Sequence, residues 1–274
     1  VRAQGDPDFE HLIFDNRSTD ETSEVAARYP HVRFVSENDR GQSHAVNKGL
    51  ASARGEIICW LNADDAYPLG LFPRLREIFA DASRTVVFGD VEQVSYDGSP
   101  SQRVEAALDD RLDLVRWWTS CARLHQPAVF FRRSVAAGLG PLREDLHYAM
   151  DYEYWWRMSE KFTFRRVPEV LAIQHRQPDS KTIRAWDKVF EERERIFEPF
   201  YGLIDGGDRG ALVKEKKRQM ASRYLLHAFA AVPTAKRAAW ENIKRAWMES
   251  PYAVLKFRNL GLLRGLFTPA ASAP

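Results

Sequence analysis

At 274 residues, 45% apolar and 28% charged, the chain suits one sizeable α/β domain with an appendage, and its composition excludes a disordered polymer. No apolar run approaches the ~20 residues that cross a bilayer, Val1–Glu10 lacks the apolar core of a signal peptide, and two cysteines, Cys59 and Cys121, make neither a disulfide framework nor a zinc set, which predicts a reducing, cytoplasmic setting. The net charge of +2 hides an asymmetry: from Ala211 onward twelve basic residues face three acidic ones, giving the tail +9 and leaving −7 on an acidic body.

Phe9 to Asp15 reads as a short strand that runs into Asn16-Arg17-Ser18-Thr19-Asp20-Glu21-Thr22. Ser18 and Glu21 have capping-box spacing, which predicts a helix from here to about Tyr29, ahead of Pro30. Val32 to Ser36 is the next strand, Gln42 to Ala53 the next helix, and Glu56 to Leu61 a strongly apolar strand, for which a central place in the sheet is expected. A helix over Leu71 to Ala80 carries Leu71, Leu75, Ile78 and Phe79 on one side. Val86 to Asp90 and Val91 to Tyr96 read as two strands, with Asp97-Gly98 as a hairpin turn. Helix is expected over Leu112 to Trp118, strand over Ala128 to Arg132, helix around Asp151 to Lys161 and a last strand over Val170 to His175. Lys181 to Phe200 then reads as a long helix, Gly206-Gly207 as a break, and Lys214 to Val232 and Ala238 to Trp247 as helices. Alternating strands and helices imply parallel crossover units and an α/β class.

Three acidic positions stand out. Asp64-Asp65 follows directly on an apolar strand, at the carboxyl edge where open α/β sheets bind ligands. Closing a strand and capping the next helix would account for such a pair, but adjacent carboxylates repel unless a cation compensates them, and Mg²⁺ or Mn²⁺ bridging to phosphate does so economically. Asp15 also ends a strand; capping explains Ser18 and Glu21 but not Asp15, whose carboxylate can accept from a nucleobase N–H. Asp151, in Met150-Asp-Tyr-Glu-Tyr-Trp-Trp-Arg, suits either a helix-start carboxylate favoured by the dipole or a general base.

The ordered blocks Asp15-Asn-Arg-Ser-Thr-Asp-Glu-Thr, Glu37-Asn-Asp-Arg-Gly-Gln-Ser-His-Ala-Val-Asn-Lys-Gly, Ala53-Arg-Gly-Glu-Ile, Leu61-Asn-Ala-Asp-Asp, Gln126-Pro-Ala-Val-Phe-Phe-Arg-Arg and Met150-Asp-Tyr-Glu-Tyr-Trp resemble family 2 glycosyltransferases of the GT-A fold, from about Phe9 to Thr182. The resemblance implies a Rossmann-like nucleotide-sugar-binding domain with a mostly parallel sheet over residues 1–182, and a helical basic region over 183–274. It implies an inverting, metal-dependent transfer of a hexosyl unit from a nucleotide-diphosphate sugar, such as a UDP-sugar, to a hydroxyl of a glycan or lipid-linked acceptor, in cell-surface polysaccharide synthesis. Matched position by position, Asp15 and Asn16 would hold the base, Arg40 (with Gln42) the diphosphate, Asp64 the ribose or sugar, Asp65 the Mg²⁺ or Mn²⁺, and Asp151 the acceptor proton.

The chain departs from the family pattern in three ways. Relatives often carry Asp where Asn62 stands. In the segment His175-Arg-Gln-Pro-Asp-Ser-Lys, Gln177 falls where relatives have His, so His175 is the candidate metal or phosphate contact. Family members also begin with a strand and helix ahead of the segment matched by Phe9 to Asp15, which predicts that roughly 25 to 35 residues, a βα unit, precede Val1. In the tail, Trp240, Ile243 and Trp247 fall at helical spacing beside Lys244 and Arg245, with Phe257, Leu260, Leu262, Leu263, Leu266 and Phe267 beyond. That pattern fits either packing on the rest of the chain or attachment to an anionic membrane, on the inner face of the plasma membrane. No nucleic-acid module is recognisable. The competing reading is a carbohydrate- or partner-binding protein on a decayed transferase scaffold.

Overall fold

The structure, a computed structural model, describes residues 1–4, 6–95, 99–176, 185–231 and 236–255. They fall into two compact units, one of residues 1–117 and 121–199, the other of 118–120 and 200 onward.

The first unit opens with a 3-10 turn, Arg2–Gln4. Strands β1 (His11–Asp15) and β2 (Val32–Ser36) pair in parallel, with α1 (Thr22–Ala27) between them. Helix α2 (Gln42–Ser52) follows and packs on β1, with Phe14 lying 3.8 Å from where a Cβ on Gly49 would sit, an ordinary contact distance. A five-stranded mixed sheet holds β3 (Ile57–Cys59), β6 (Val129–Arg132), β4 (Val86–Ser95) and β5 (Gln102–Val104) in that order, with β7 (Phe164–Arg176) on β4. The β4–β7 pairing is parallel and is the longest ladder; the β3–β6, β4–β6 and β4–β5 pairings are antiparallel.

Period-two alternation builds layers on both faces of this sheet. Val87 and Phe130 point to one side, where Leu71, Leu75, Ile78 and Phe79 of α3 (Leu71–Phe79) cover them, the four positions expected from the sequence. Phe131 points to the other side and meets Tyr154 and Trp155 of α6 (Met150–Lys161) at 6.1 and 6.2 Å. Short helices α4 (Leu112–Val115) and α5 (Arg133–Leu139) complete the covering up to α6. Helix α7 (Trp186–Phe197) also belongs to this unit.

Several expectations are corrected. β3 is an edge strand of the five-stranded sheet, not a central one. Its apolar character comes from cover on both faces: Ile57 and Cys59 pack into the α3 cluster, while Trp60 just beyond faces Trp155 at 6.2 Å. The two strands expected between Val86 and Tyr96 are one, because the ladder to β7 continues through register shifts at Gly89/Asp90 and Asp90/Val91. The hairpin residues Asp97-Gly98 and the helix start at Lys181 lie outside the described residues. Ser18 does not cap α1; Asp20 accepts the Thr22 N–H instead, at 3.0 Å.

The 3-10 segment Glu198–Leu203 runs from the first unit into the second and leads to a turn in which Gly206 and Gly207 take φ of +59° and +86°, the break expected at that pair. Helices α8 (Arg209–Ala231), α9 (Lys236–Glu249) and α10 (Pro251–Leu255) then follow. Their core is built from small residues, Ala221 and Ala228 of α8 against Ala239, Ala246 and Ala253, with Leu225, Ile243 and Val254 filling between. Trp118 stacks edge-on against Tyr201, and Arg223 of α8 donates to the carbonyls of Trp118 and Thr119.

Candidate active site

Asp15 ends β1 in register with Ser36 at the end of β2, and the Ser36 hydroxyl donates to its carboxylate at 2.6 Å. The Ser18 hydroxyl and N–H donate to the same carboxylate. Hydroxyls that favour the ionised form hold Asp15 below the usual carboxylate range. Next to it the Asn16 side-chain oxygen accepts the Asp39 N–H, so the turn after β1 is fastened to the turn after β2.

From that second turn the contacts spread toward β3 and α6. Arg40 pairs with Glu144 through Nε and Nη2, at 2.8 and 2.6 Å, which lowers the Glu144 pKa. Ser43 donates to the Leu146 carbonyl, and Asn47 exchanges bonds with the Leu142 backbone. Gln42, at the first turn of α2, donates to Asn62 beyond β3 at 3.1 Å, and Asn62 makes a long 3.5 Å contact to Asp65.

The Asp64-Asp65 turn is clamped from the opposite side by β7. Ala66 and Ile173 exchange backbone hydrogen bonds of 2.9 and 2.8 Å, and the His175 N–H donates to Asp65 at 3.2 Å. The His175 ring reaches the Asp64 carbonyl, Nδ1 to O 2.7 Å. A carbonyl only accepts, so the neutral ring carries its proton on Nδ1 and its lone pair on Nε2. Burial first, and the Asp64 charge second, push the half-buried Asp65 carboxyl up to about 6. Asp64 itself is exposed.

No group of three or more His, Cys, Asp or Glu side chains forms a metal cage among the described residues. Mg²⁺ and Mn²⁺ on nucleotides commonly use one or two carboxylates and complete their shell with phosphate and water. A carboxylate that burial and a like neighbour make reluctant to ionise, beside the His175 imidazole, fits an ion shared with phosphate oxygens.

Asp151 lies in the first turn of α6, one helical turn before the Trp155 that touches Trp60, which puts that turn on the side of the sheet where β3 ends. Burial raises its pKa, against the Arg193 charge, which lowers it. The sequence reading missed what holds this turn. Glu192 of α7 accepts the backbone N–H groups of His147, Tyr148 and Ala149 at 2.8, 2.7 and 2.9 Å, and Arg193 lies over the Tyr152 ring at 3.8 Å. No local pattern announces an acid more than forty residues from its partners. Ser36 was equally silent, since only strand register brings it to Asp15. Desolvation pushes the half-buried Cys59 thiol up to about 12, which makes it a poor source of thiolate.

The glycosyl transferase family 2 model matches residues 1–140. The chain belongs to that family. This family 2 chain is 27% identical over 208 residues to protein MT1568 of Mycobacterium tuberculosis, covering 69% of this chain and 65% of that protein. It is 30% identical over 195 residues to a PGL/p-HBAD biosynthesis glycosyltransferase of Mycobacterium bovis, covering 68% and 72%. It is also 27% identical over 195 residues to chondroitin synthase of Escherichia coli, covering 69% and 28%. The chain thus spans less than two thirds of the length of several curated relatives it matches. Among solved structures, S. aureus TarS 1-349 in complex with UDP-GlcNAc superposes with a TM-score of 0.52 at 16% identity, covering 95% of this chain and 77% of that chain. The mannosyltransferase PcManGT of Pyrobaculum calidifontis, in complex with GDP-Man and Mn²⁺, gives 0.50 at 20%, covering 93% and 69%. These likenesses show a GT-A fold.

Proposed function

We propose that this chain is an inverting, metal-dependent glycosyltransferase that moves a hexosyl unit from a nucleotide-diphosphate sugar to a hydroxyl of a cell-surface glycan or a lipid-linked precursor, in the cytoplasm. The observation that carries the reading is the continuous hydrogen-bonded line Gln42–Asn62–Asp65–His175, which gathers the ends of β3 and β7 and the start of α2 around the half-buried carboxylate. The UDP-GlcNAc and GDP-Man bound by TarS and PcManGT support the donor class, and the Mn²⁺ of PcManGT supports the ion. Chondroitin synthase among the relatives supports a glycan acceptor.

In this mechanism Asp15, fixed by Ser18 and Ser36, accepts from the base while Asn16 holds the turn beside it. Arg40, shared with Glu144, lies toward the diphosphate, and Asp64 takes the ribose or sugar. Asp65, with His175, would hold Mg²⁺ or Mn²⁺. The ion, when bound, offsets charge on the departing diphosphate. Asp151 removes the proton from the acceptor hydroxyl as its oxygen attacks the anomeric carbon, and the C–O bond to the diphosphate breaks on the opposite face. The raised pKa suits it for that proton.

Transfer and donor hydrolysis with Mn²⁺, for wild type, Asp65→Ala and Asp151→Asn over a panel of UDP- and GDP-sugars, test the reading. Asp151→Asn is expected to lose ~10²- to 10⁴-fold in kcat with donor affinity kept, and Asp65→Ala to lose the metal dependence of donor binding. Asn62, where relatives often carry Asp, favours a second reading, carbohydrate or partner binding without transfer. Equal rates in all three proteins would overturn the catalytic reading.

A further inference from the structure

The second unit carries a surface that the catalytic reading leaves unused. On α9 the buried residues Ala239, Asn242, Ile243 and Ala246 occupy one side of the helix. At 100° per residue Trp240, Lys244 and Trp247 run in line along the flank beside this buried side, with Lys236 at its near margin and Arg237, Met248 and Arg245 further round. Trp240, Trp247 and Met248 are 42%, 48% and 73% exposed. Glu241, the acid beside them, pairs with Lys244 at 3.0 Å, and Arg237, Lys236 and Arg245 keep the balance of this side positive. Helix α10 repeats the arrangement: Ala253 and Val254 go into the core, while Tyr252 and Leu255, three residues apart, are 71% and 59% exposed.

Tryptophan is highly buried on average in a monomer, and here two of them, about half exposed, stand a helical step either side of a lysine in a region of net +9. An acidic protein groove would match the charge, but it would not ask for aromatic and aliphatic side chains alternating with cations along a single helix. That alternation matches the headgroup layer of a bilayer, where indole rings settle at the interface and Lys and Arg reach lipid phosphates with their stems in the apolar layer. No described helix is long and apolar enough to cross a membrane, so such a contact lies on the surface.

We propose that the Trp240–Lys244–Trp247 face of α9, extended by Tyr252 and Leu255 of α10, docks on the surface of an anionic phospholipid bilayer. The residues Phe257 to Phe267, which the sequence pattern adds to this tail, lie outside the described residues and are not needed for the argument. The proposal stands apart from the catalytic reading, because vesicle binding is measured without turnover.

The full chain is floated with vesicles of phosphatidylcholine alone and with about 30% phosphatidylglycerol, at about 0.05 M and about 0.5 M salt. The expected result is binding only to the anionic vesicles at low salt. It should weaken by about tenfold or more in Trp240→Ala/Trp247→Ala, and again in Arg237→Glu/Lys244→Glu, with helix content and the elution volume of both variants unchanged. A conservative pair, Trp240→Phe/Trp247→Phe, is expected to keep most of the binding. Failure of the wild type to float with anionic vesicles at low salt overturns the proposal. So does binding that the tryptophan pair leaves intact, and so does a concentration-dependent dimer in sedimentation that the same pair abolishes, which would assign the face to a second copy.

Discussion

Asp151 sits between two opposing influences, burial that favours its neutral form and the Arg193 guanidinium that favours its charge. A general base works ionised, so a raised pKa keeps it protonated, and idle, to higher pH. With saturating donor and metal, kcat is therefore expected to rise with pH through an acidic limb above the ordinary carboxylate range. Replacing Arg193 by Gln removes the lowering charge and should move that limb to higher pH, measured as kcat against pH in the two proteins; a limb that stays put removes Asp151 from the base's role. At this scale the sequence was most legible where a side chain closes a strand. Asp15, Asp64 and Asp65 were placed at strand ends because apolar runs stop there. Ser18 was misread as a cap because its spacing fits a capping box, while its actual acceptor, Asp15, is a competing partner of the same reach.

Glycine 89 shows how an element can depend on a missing atom. A Cβ there would lie 2.6 Å from Cγ and Cδ1 of Leu171 and 2.9 Å from the Glu169 carbonyl, at the irregularity where β4 and β7 change register. Gly89→Ala is expected to cost about 1–3 kcal/mol, read from urea unfolding, and the double variant with Leu171→Ala should recover part of it. Glu192 acts between elements in a similar way. Glu192→Gln can accept with a single oxygen where the carboxylate serves three N–H groups, and loosening the turn that carries Asp151 should lower kcat ~10-fold while leaving the affinity for UDP or GDP unchanged by calorimetry. Helices and strands with a clear period were readable in advance, as α3 shows. The strength of β3 as an apolar strand was also readable, but not its position at an edge, because cover from above and below leaves the same pattern as neighbours on both sides.

For the whole molecule, the charge split seen in the sequence follows the two units: the residues proposed to take nucleotide and metal lie on the first, and a cationic aromatic surface lies on the second. Ligand that binds only the folded first unit stabilises it by mass action. UDP or GDP with Mn²⁺ at a hundredfold excess over Kd is expected to add ~2.7 kcal/mol, seen as a rise of several degrees in that unit's melting temperature, and Asp65→Ala should show none of the metal-dependent part. Backbone amides would report the same event site by site. β4, bonded on both sides, should exchange its hydrogens for deuterium last, whereas β3 has one ladder of three residues to shelter it. Asp64 and Asp65, the proposed cation ligands, thus follow a short edge strand, and donor binding should be recorded as a slowing of exchange at Ile57 to Ala66 while the centre of the sheet registers almost nothing.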